Sequence, residues 1–244
     1  MIEKGLVKMA IYKITYSEKF KRANLYNYGC NFNCAWCSYK LKSYGKPDKF
    51  LSIGQIKKVL SNLEIERVHF LGGEPTTYSG IAEIAEFAHN ELGVYTKIGH
   101  SNGSLMPPEH IDAWSVSIRA VSDSKHRKYT GGKSAIEVLR NFKEGYDKGI
   151  EMDASSILIP GLFDKDEIEK IARFISEIDP NIPYHIVGYV PVPNSHWRKP
   201  TPSEVKEAEN IAKRYLKHVT SSCMTVEEFL NIDRDIRYKS IRVA

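Results

Sequence analysis

Three of the four cysteines of this sequence fall in one stretch, Cys30-Asn31-Phe32-Asn33-Cys34-Ala35-Trp36-Cys37. The fourth, Cys223, is far away along the chain, so the cysteines do not form a disulfide framework. Clustered thiols are more often metal ligands or redox groups than structural residues. Because Gly29, Asn31 and Asn33 favour turns, the stretch predicts a short loop that wraps three thiolates around one soft metal centre.

The spacing of these cysteines leaves three interpretations open. It would also place all three on one face of a helix, as buried core residues. A closed zinc site would need a fourth ligand, either Cys223 or one of the eight histidines, and no histidine lies within about 30 residues of the loop. An iron–sulfur cubane held by three cysteines leaves one iron without a protein ligand, and that iron is free to take part in chemistry.

The composition is that of an ordinary globular protein, since 42% of the 244 residues are hydrophobic and 27% are charged. It excludes a collagen-like fibre and a small disulfide-built protein. The net charge of +5 is too small to predict nucleic-acid binding. No run approaches the roughly 18 apolar residues of a membrane span, and Met1–Lys8 lacks the apolar core of a signal peptide. We therefore expect a cytoplasmic protein with no membrane partner.

Short apolar strands alternate with amphipathic helices from about residue 23 onward, which is typical of βα units around a parallel sheet. Six units are too few for a closed eight-fold barrel. The predicted fold class is α/β, an open or partial (βα)6 barrel with its functional site at the carboxyl ends of the strands. We expect one domain over 1–244, with a barrel core of about 23–217 between short terminal extensions. The predicted strands are 23–28, 67–71, 94–99, 113–119, 151–159 and 183–190.

Several helices have recognisable start and stop signals. Two helices are predicted near 80–92 and 134–148, and Gly149 is expected to end the second in a left-handed conformation. Pro180 is expected to end the helix that begins after residue 164. The start signals are Ser52 with Gln55 and Asp164 with Glu167, both predicted as capping boxes, and Thr201 with Pro202 and Glu204.

The cysteine stretch, with an aromatic residue just before its third cysteine, resembles the cluster loop of radical S-adenosylmethionine enzymes. In that family the loop follows the first strand of a partial (βα)6 barrel, which is where strand 23–28 places it. A second family motif is matched by Gly72-Gly73-Glu74-Pro75, directly after the strand that ends at Leu71. With both motifs, the chain is identified as a member of this superfamily.

Later matches resemble the activators of pyruvate formate-lyase and their relatives. His100-Ser101-Asn102-Gly103 resembles their Asp-Thr-Asn-Gly stretch, and the segment 126–131 resembles their His-x-x-x-Thr-Gly. The segment 157–161 resembles their strand ending in Pro-Gly, and His185 matches a histidine that those proteins place near a ribose. The resemblance thus extends along the whole predicted barrel.

The resemblance implies two cofactors, one [4Fe-4S] cluster held by Cys30, Cys34 and Cys37, and S-adenosylmethionine bound to the open iron through its amino and carboxylate groups. One electron then breaks a sulfur–carbon bond, giving methionine and a 5'-deoxyadenosyl radical that takes hydrogen from a substrate. The protein supplies position and excludes side reactions. No catalytic residue beyond the cluster ligands is expected.

Other residues are expected around S-adenosylmethionine. Gly72 and Gly73 would let the backbone approach the methionyl amino group, and Glu74 would either contact that group or hold the turn. Ser38, with the adjacent Tyr39, would line the adenine side. Ser101, Asn102, Ser155 and His185 are the candidates for the nucleoside half.

The sequence departs from the activators at charged positions. Ser117 and Arg119 stand where those proteins carry Asp-x-Lys, Ser155 stands where they carry an arginine, and His100 replaces an aspartate. Arg119 is expected to replace the lysine as partner of the methionyl carboxylate. These departures put a glycyl-radical substrate in doubt.

Three functions remain as hypotheses from the sequence. The first is a radical enzyme acting on a protein or peptide, as the activators do. The second is a radical enzyme acting on a small molecule such as a deazapurine precursor, and the third is a non-catalytic iron–sulfur or zinc-binding module. For either enzyme the expected partner is an electron donor such as ferredoxin or flavodoxin. Cys223 is expected to be a buried, inert thiol.

Overall fold

A single nine-stranded sheet organises the protein in this computed structural model, which describes residues 10–41, 46–132, 134–231 and 234–244. In chain order the strands are β1 (Ala10–Ser17), β2 (Arg22–Tyr28), β3 (Arg67–Leu71), β4 (Tyr95–Ser101), β5 (Ala113–Ser117), β6 (Glu151–Leu158), β7 (Tyr184–Gly188), β8 (Val219–Ser222) and β9 (Ser240–Arg242). Their order in space is β8-β7-β6-β5-β4-β3-β2-β1-β9. Strands β2 to β8 are parallel, whereas β1 is antiparallel to both β2 and β9. The sheet is not closed, which confirms the predicted partial barrel.

Helices follow most of the parallel strands. The capping boxes predicted at Ser52 and Thr201 are both present. Gly149 has a φ of +80° after the fourth helix, as predicted. In chain order the helices are α1 (Ile53–Ser61), α2 (Ile81–Glu86, continued by a π-helical turn over Phe87–Glu91), α3 (Asp123–Thr130), α4 (Ala135–Asp147), α5 (Lys165–Ile178), α6 (Pro202–Ala212), α7 (Val226–Asn231) and α8 (Arg234–Arg237).

The hydrophobic core lies between the helices and one face of the sheet. Alternate strand residues such as Phe70 and Trp114 are fully buried there, against helix residues such as Ile56 and Ile171. This burial follows from the period of two along each strand. The strand residues between these buried ones therefore point away from the helices.

The other face, which we call the inner face, is polar. Parallel sheets are normally covered by apolar packing on both faces. Here, by contrast, Lys97 Nζ lies 2.7 Å from Asp153 Oδ2, and Ser115 Oγ donates to the same oxygen at 2.7 Å. The inner-face residues used below are Arg22, Arg67, His69, Lys97, Ser115, Ser117, Asp153, Ser155, His185, Thr220 and Ser222. Such a lining suits a polar ligand.

The predicted capping box at α5 is wrong. Asp164 does precede the helix, but its side chain makes no hydrogen bond to it and accepts instead from the Gly161 N–H at 2.9 Å. The buried Glu167 carboxylate accepts from the N–H groups of Val121 and Ser122, at 2.7 and 3.1 Å. Both carboxylates thus serve neighbouring loops. The helix does end at Ile178, before Pro180, as predicted.

The sequence analysis missed β1, β8, β9 and the helices α3, α7 and α8. The segments expected as terminal extensions therefore contribute strands to both ends of the sheet. The six predicted strands are all present, with ends that differ by up to two residues. No helix in the described ranges combines the length and apolar character needed to cross a membrane.

Candidate functional site

The cysteine loop leaves the carboxyl end of β2 through Gly29, whose φ of +93° favours glycine. Two backbone hydrogen bonds then fix the loop to the end of α3. The Asn33 N–H donates to the Thr130 carbonyl at 2.6 Å, and the Ala35 N–H donates to the Tyr129 carbonyl at 3.0 Å. Segment 126–131, matched earlier only by resemblance, therefore has a definite structural role, because it supports this loop.

Aromatic residues between the cysteines anchor the loop in the interior. Phe32 is 8% exposed and meets the His126 ring edge-on at 5.5 Å, while Trp36 is 3% exposed and meets Phe163 at 4.9 Å. The cysteines are less buried than these rings. Cys30 is exposed, and Cys34 and Cys37 are half-buried, so the thiols remain accessible to a ligand.

The surroundings of Cys30 and Cys34 favour the protonated form of these two thiols. Partial desolvation raises the pKa of Cys30 to about 11, and the negative charges of Glu74 and Cys34 add to the shift. Burial also raises the pKa of Cys34, against the opposing positive charge of Arg119. A metal centre bound by thiolates must therefore displace protons from these two groups.

The glycine-rich turn after β3 packs against the cysteine loop. Gly72 and Gly73 have φ values of +78° and +25°. A Cβ atom on Gly73 would lie 1.9 Å from the Gly29 carbonyl oxygen, and one on Gly72 would lie 2.5 Å from the backbone carbonyl oxygen of Asn27. The Glu74 N–H donates to the Gly29 carbonyl at 2.8 Å. The chain's own backbone thus requires both glycines, whatever ligand binds beside them.

Glu74 is fully buried, and both of its carboxylate oxygens accept hydrogen bonds. Oε1 accepts from Ser101 Oγ at 2.9 Å and from Thr76 Oγ1 at 2.7 Å, and Oε2 accepts from the Asn102 N–H at 2.5 Å. Burial raises the pKa of this carboxyl, although the donors oppose the shift. Of the two roles suggested by the sequence, these contacts are those of a residue that holds the turn.

Asn102 links the end of β4 to the cysteine loop. Its Nδ2 donates to Asn31 Oδ1 at 2.8 Å and lies 3.7 Å from Cys30 Sγ, while its Oδ1 accepts from the Ser104 N–H at 2.9 Å. Asn31 Nδ2 in turn donates to Ser104 Oγ at 2.9 Å. Ser101 and Asn102 therefore bond to protein groups. The sequence analysis did not predict the hydrogen bonds of Asn31 and Ser104 that hold this loop. The only signal for them in the sequence was the position of Asn31 between two cysteines.

Ser117, Ser155 and His185 lie in one row across β5, β6 and β7 of the inner face. Ser155 Oγ donates to Ser117 Oγ at 3.1 Å. The His185 ring nitrogens lie 2.7 Å from Thr220 Oγ1 and 3.0 Å from Ser222 Oγ. Burial lowers the pKa of His185, so the neutral imidazole is favoured. Both β8 hydroxyls escaped the sequence analysis because that strand was not predicted.

Arg119 lies between this row and the cysteine loop. Its Nη1 donates to Ser117 Oγ at 2.5 Å, and its charge lowers the pKa of the Cys34 thiol. Its Nε is buried and has no hydrogen-bond partner in the part of the chain that the structure describes. A buried guanidinium donor without a partner is costly, and it fits an anionic ligand group at this position.

Two other predicted residues lie at the edge of this arrangement or away from it. Ser38 begins a 3-10 turn, Ser38–Leu41, directly after Cys37, and the adjacent Tyr39 is exposed. Cys223 lies elsewhere, with its Sγ 3.6 Å from the Pro200 carbonyl oxygen and against Gly188. Cys223 is half-buried, not buried as expected, and its environment is separate from that of the three clustered cysteines.

The three thiols, exposed or half-buried in one loop, have the chemistry of iron–sulfur cluster ligands. Within the described ranges, no three His, Cys, Asp or Glu side chains converge closely enough to hold one metal ion. Three cysteines that bind three irons of one cubane need not converge on a point. Thiolates are the soft ligands that such clusters use, and the positive charge of Arg119 acts on the Cys34 thiol of this loop.

Comparison with known proteins identifies relatives along most of the chain. The chain is 30% identical over 223 residues to a protein of Methanocaldococcus jannaschii that is provisionally named a glycyl-radical enzyme activating enzyme, covering 88% of this chain and 84% of that one. It is 25% identical over 182 residues to the GTP 3',8-cyclase of Alkaliphilus oremlandii, covering 70% of this chain and 56% of the cyclase.

Solved structures share the fold. SuiB of Streptococcus suis, bound to S-adenosylmethionine, superposes with a TM-score of 0.63 at 15% identity, over 80% of this chain and 48% of SuiB. A domain of pyruvate-formate lyase-activating enzyme from Bacteroides vulgatus superposes with a TM-score of 0.51 at 17% identity, over 64% of this chain and 98% of that domain. The Radical SAM superfamily model matches residues 25–175, which include the cysteine loop, the glycine turn and Arg119. The chain therefore belongs to the radical S-adenosylmethionine superfamily.

Proposed function

We propose that this protein is an oxidoreductase in which Cys30, Cys34 and Cys37 hold a [4Fe-4S] cluster. When bound, the cluster supplies the electron that cleaves S-adenosylmethionine to methionine and a 5'-deoxyadenosyl radical. The observation that supports this most is the hydrogen-bonded assembly of the cysteine loop, Glu74 and Asn102 at the carboxyl ends of three adjacent strands. We propose that an electron donor such as ferredoxin or flavodoxin reduces the cluster.

In this proposal Arg119 binds the methionyl carboxylate. Its Nη1 is already fixed by Ser117, so the guanidinium is oriented before the ligand arrives, and its buried Nε lacks a partner in the described ranges. A carboxylate that accepts from this donor would satisfy it. Arg119 thereby takes the role that a lysine has in the activators.

Glu74 and Asn102 act on the cofactor through position. They hold the glycine turn and the end of β4 against the cysteine loop, which keeps the methionyl side of the pocket in place. Ser155 and His185 face the ribose from the inner face. Since both ring nitrogens of His185 already face hydroxyls of β8, a ribose contact would have to replace one of them.

We propose a protein or peptide as the substrate. The relative from Methanocaldococcus jannaschii carries the name of an enzyme that activates a glycyl-radical protein, and SuiB has been crystallised with its precursor peptide SuiA. The sheet of this chain is open at β8, beside the row that contains His185. An open edge leaves room for a chain to enter from the side.

A small molecule is the second candidate substrate. The observation in its favour is the polar middle of the inner face, where Lys97 Nζ lies 2.7 Å from Asp153 Oδ2 and Ser115 Oγ donates to the same oxygen at 2.7 Å. The similarity to GTP 3',8-cyclases points in the same direction.

Isotope transfer distinguishes the two substrates. The reduced, cluster-loaded protein is incubated with S-adenosylmethionine and either a glycyl-radical enzyme from the same organism with deuterated glycine, or deuterated GTP. We expect deuterium in 5'-deoxyadenosine, and an electron paramagnetic resonance signal of a glycyl radical, only with the protein. Transfer from GTP alone would contradict the protein substrate.

A further inference from the structure

Two arginines lie side by side at the amino-terminal ends of β2 and β3, the ends opposite the cysteine loop. Arg22 and Arg67 are register partners on the inner face. Burial lowers the pKa of Arg22, and the positive charge of Arg67 adds to that shift. Neither guanidinium makes an ion pair or a hydrogen bond within the described ranges, and Arg22 Nε is among the buried atoms without a partner.

Aromatic rings lie within cation–π distance of both guanidiniums. The Arg22 guanidinium lies 5.5 Å from the Phe20 ring centroid and 5.1 Å from that of Tyr238, and Arg67 lies 5.9 Å from that of Tyr95. A cation–π contact forms no hydrogen bond, so it leaves the guanidinium N–H groups available to another ligand. The rings therefore orient the two arginines without satisfying their donors.

The arginines line a cavity of about 340 Å³ together with Lys19, Phe20, Lys21 and Glu66. Four of the six lining residues are cations and one is a carboxylate. That carboxylate lies 3.5 Å from Lys21 Nζ, which also pairs with Glu64 at 2.6 Å. The nearby acids of the described ranges are thus engaged with Lys21, and none of the carboxylates that the structure describes pairs with either arginine.

The positive potential extends along the inner face. Burial, together with the charges of Arg22, Lys97 and Arg67, lowers the pKa of His69 to about 3, against the single opposing charge of Asp153. Adjacent cations without an acid between them reduce stability unless an anion occupies the space. Two guanidiniums with free in-plane donors match the oxygen geometry of a phosphate.

We propose that Arg22 and Arg67 bind a phosphoryl group in this cavity, at a site separate from the cofactor pocket. Strand β2 lies between the two sites, and its length of about 20 Å keeps the bound phosphate away from the reacting atoms. The phosphate belongs either to a free inorganic anion or to a nucleotide. This site goes beyond the proposed radical chemistry and does not depend on it.

Calorimetric titration of the cluster-loaded protein with inorganic pyrophosphate tests the site. We expect binding at low salt that weakens as salt is raised, and a loss of at least tenfold in affinity for Arg22→Gln and for Arg67→Gln. Arg140→Gln removes the same charge from the exposed face of α4 and is the matched control, with unchanged affinity. A parallel titration with ATP separates the sources, because tighter binding of ATP than of pyrophosphate indicates a nucleotide and equal binding indicates a free anion.

Thermal unfolding provides the second readout. Without an anion, Arg67→Gln should unfold at the same temperature as the unaltered protein or higher, because it removes a repulsion. Pyrophosphate should raise the unfolding temperature of the unaltered protein and of Arg140→Gln, but not of Arg67→Gln. Equal binding by all variants, or no binding to the unaltered protein at low salt, overturns the proposal. Cleavage of S-adenosylmethionine is measured separately, so failure of the anion site is distinct from failure of the radical chemistry.

Discussion

Glu74 shows how one buried side chain joins two segments, the glycine turn and the end of β4. Its carboxylate accepts hydrogen bonds from Ser101, Asn102 and Thr76 and has no exposed surface. The sequence identified Glu74 as a site residue through its motif. It gave no means to choose between ligand contact and support of the turn, because that choice depends on donors from β4 that only folding brings near.

Glu74→Gln tests the supporting role. The amide keeps one acceptor oxygen but turns an NH2 group toward donors, so we expect the free energy of unfolding to fall by about 1 to 3 kcal/mol. Urea unfolding measures this change, and Glu86→Gln, on an exposed surface of α2, is the control. If the two variants unfold alike, Glu74 does not hold these segments together.

Arg119→Ala tests the assignment of the methionyl carboxylate. Loss of a charge-assisted hydrogen bond should weaken S-adenosylmethionine binding by about 1.5 to 3 kcal/mol, while the iron content stays the same. Arg119→Lys, which keeps the charge, should recover part of the loss. An unchanged dissociation constant in the alanine variant would mean that Arg119 serves only Ser117 and the protein interior.

His69 predicts a pH dependence of stability. Its pKa is about 3 in the folded protein and near 6.5 in the unfolded chain. As the pH falls below about 6.5, the unfolded state takes up the proton first, so folding becomes less favourable. At pH 5 the expected cost is about 2 kcal/mol relative to neutral pH. The loss of stability between neutral pH and pH 5 should be absent in His69→Asn. It should be retained in His218→Asn, which changes a histidine at an exposed position.

At the scale of elements, the sequence predicts the central strands well and the edges poorly. Strands β2 to β7 contain apolar residues that the core requires, so their positions are visible in the sequence. Strand β8 has only Val219 fully buried among its four residues, and it becomes a strand because it pairs with β7. The hydroxyls of Thr220 and Ser222 could not be assigned to His185 without that pairing.

The capping-box error at α5 has a similar physical origin. The pattern of Asp164 and Glu167 is compatible with a capping box, but loops distant in sequence offer these carboxylates other donors. Local patterns predict helix positions because a helix forms through interactions between residues that are close in sequence. They do not determine which partner a carboxylate takes.

Gly73→Ala tests the contact between the glycine turn and the cysteine loop. The added Cβ would overlap the Gly29 carbonyl, so we expect a marked loss of both thermal stability and bound iron. Gly93→Ala is the matched control, because Gly93 also has a positive φ but has open space around it. It should cost only the backbone strain of about 1 to 2 kcal/mol. Equal effects of the two substitutions would contradict the role of the contact.

At the scale of the whole molecule, the two proposed sites lie at opposite ends of one sheet. The carboxyl ends carry the cysteine loop, the glycine turn and Arg119, and the amino-terminal ends carry the Arg22 and Arg67 pair. Polar inner-face residues such as Lys97 and Asp153 lie between the two ends. Family motifs in the sequence identified the first end. The second has no motif and became visible only through the register of β2 and β3.

The central claim is that Cys30, Cys34 and Cys37 hold a cluster with one open iron and that Cys223 takes no part. Alanine at any of the three clustered positions should remove most of the iron, whereas Cys223→Ala should retain it. The most direct measurement is the 5'-deoxyadenosine formed from S-adenosylmethionine by anaerobically reconstituted, chemically reduced protein. We predict slow formation by the unaltered protein and by Cys223→Ala, even without substrate, and none by the other three variants. No 5'-deoxyadenosine from a fully loaded, reduced sample, or loss of the cluster in a folded Cys223→Ala, would contradict the claim.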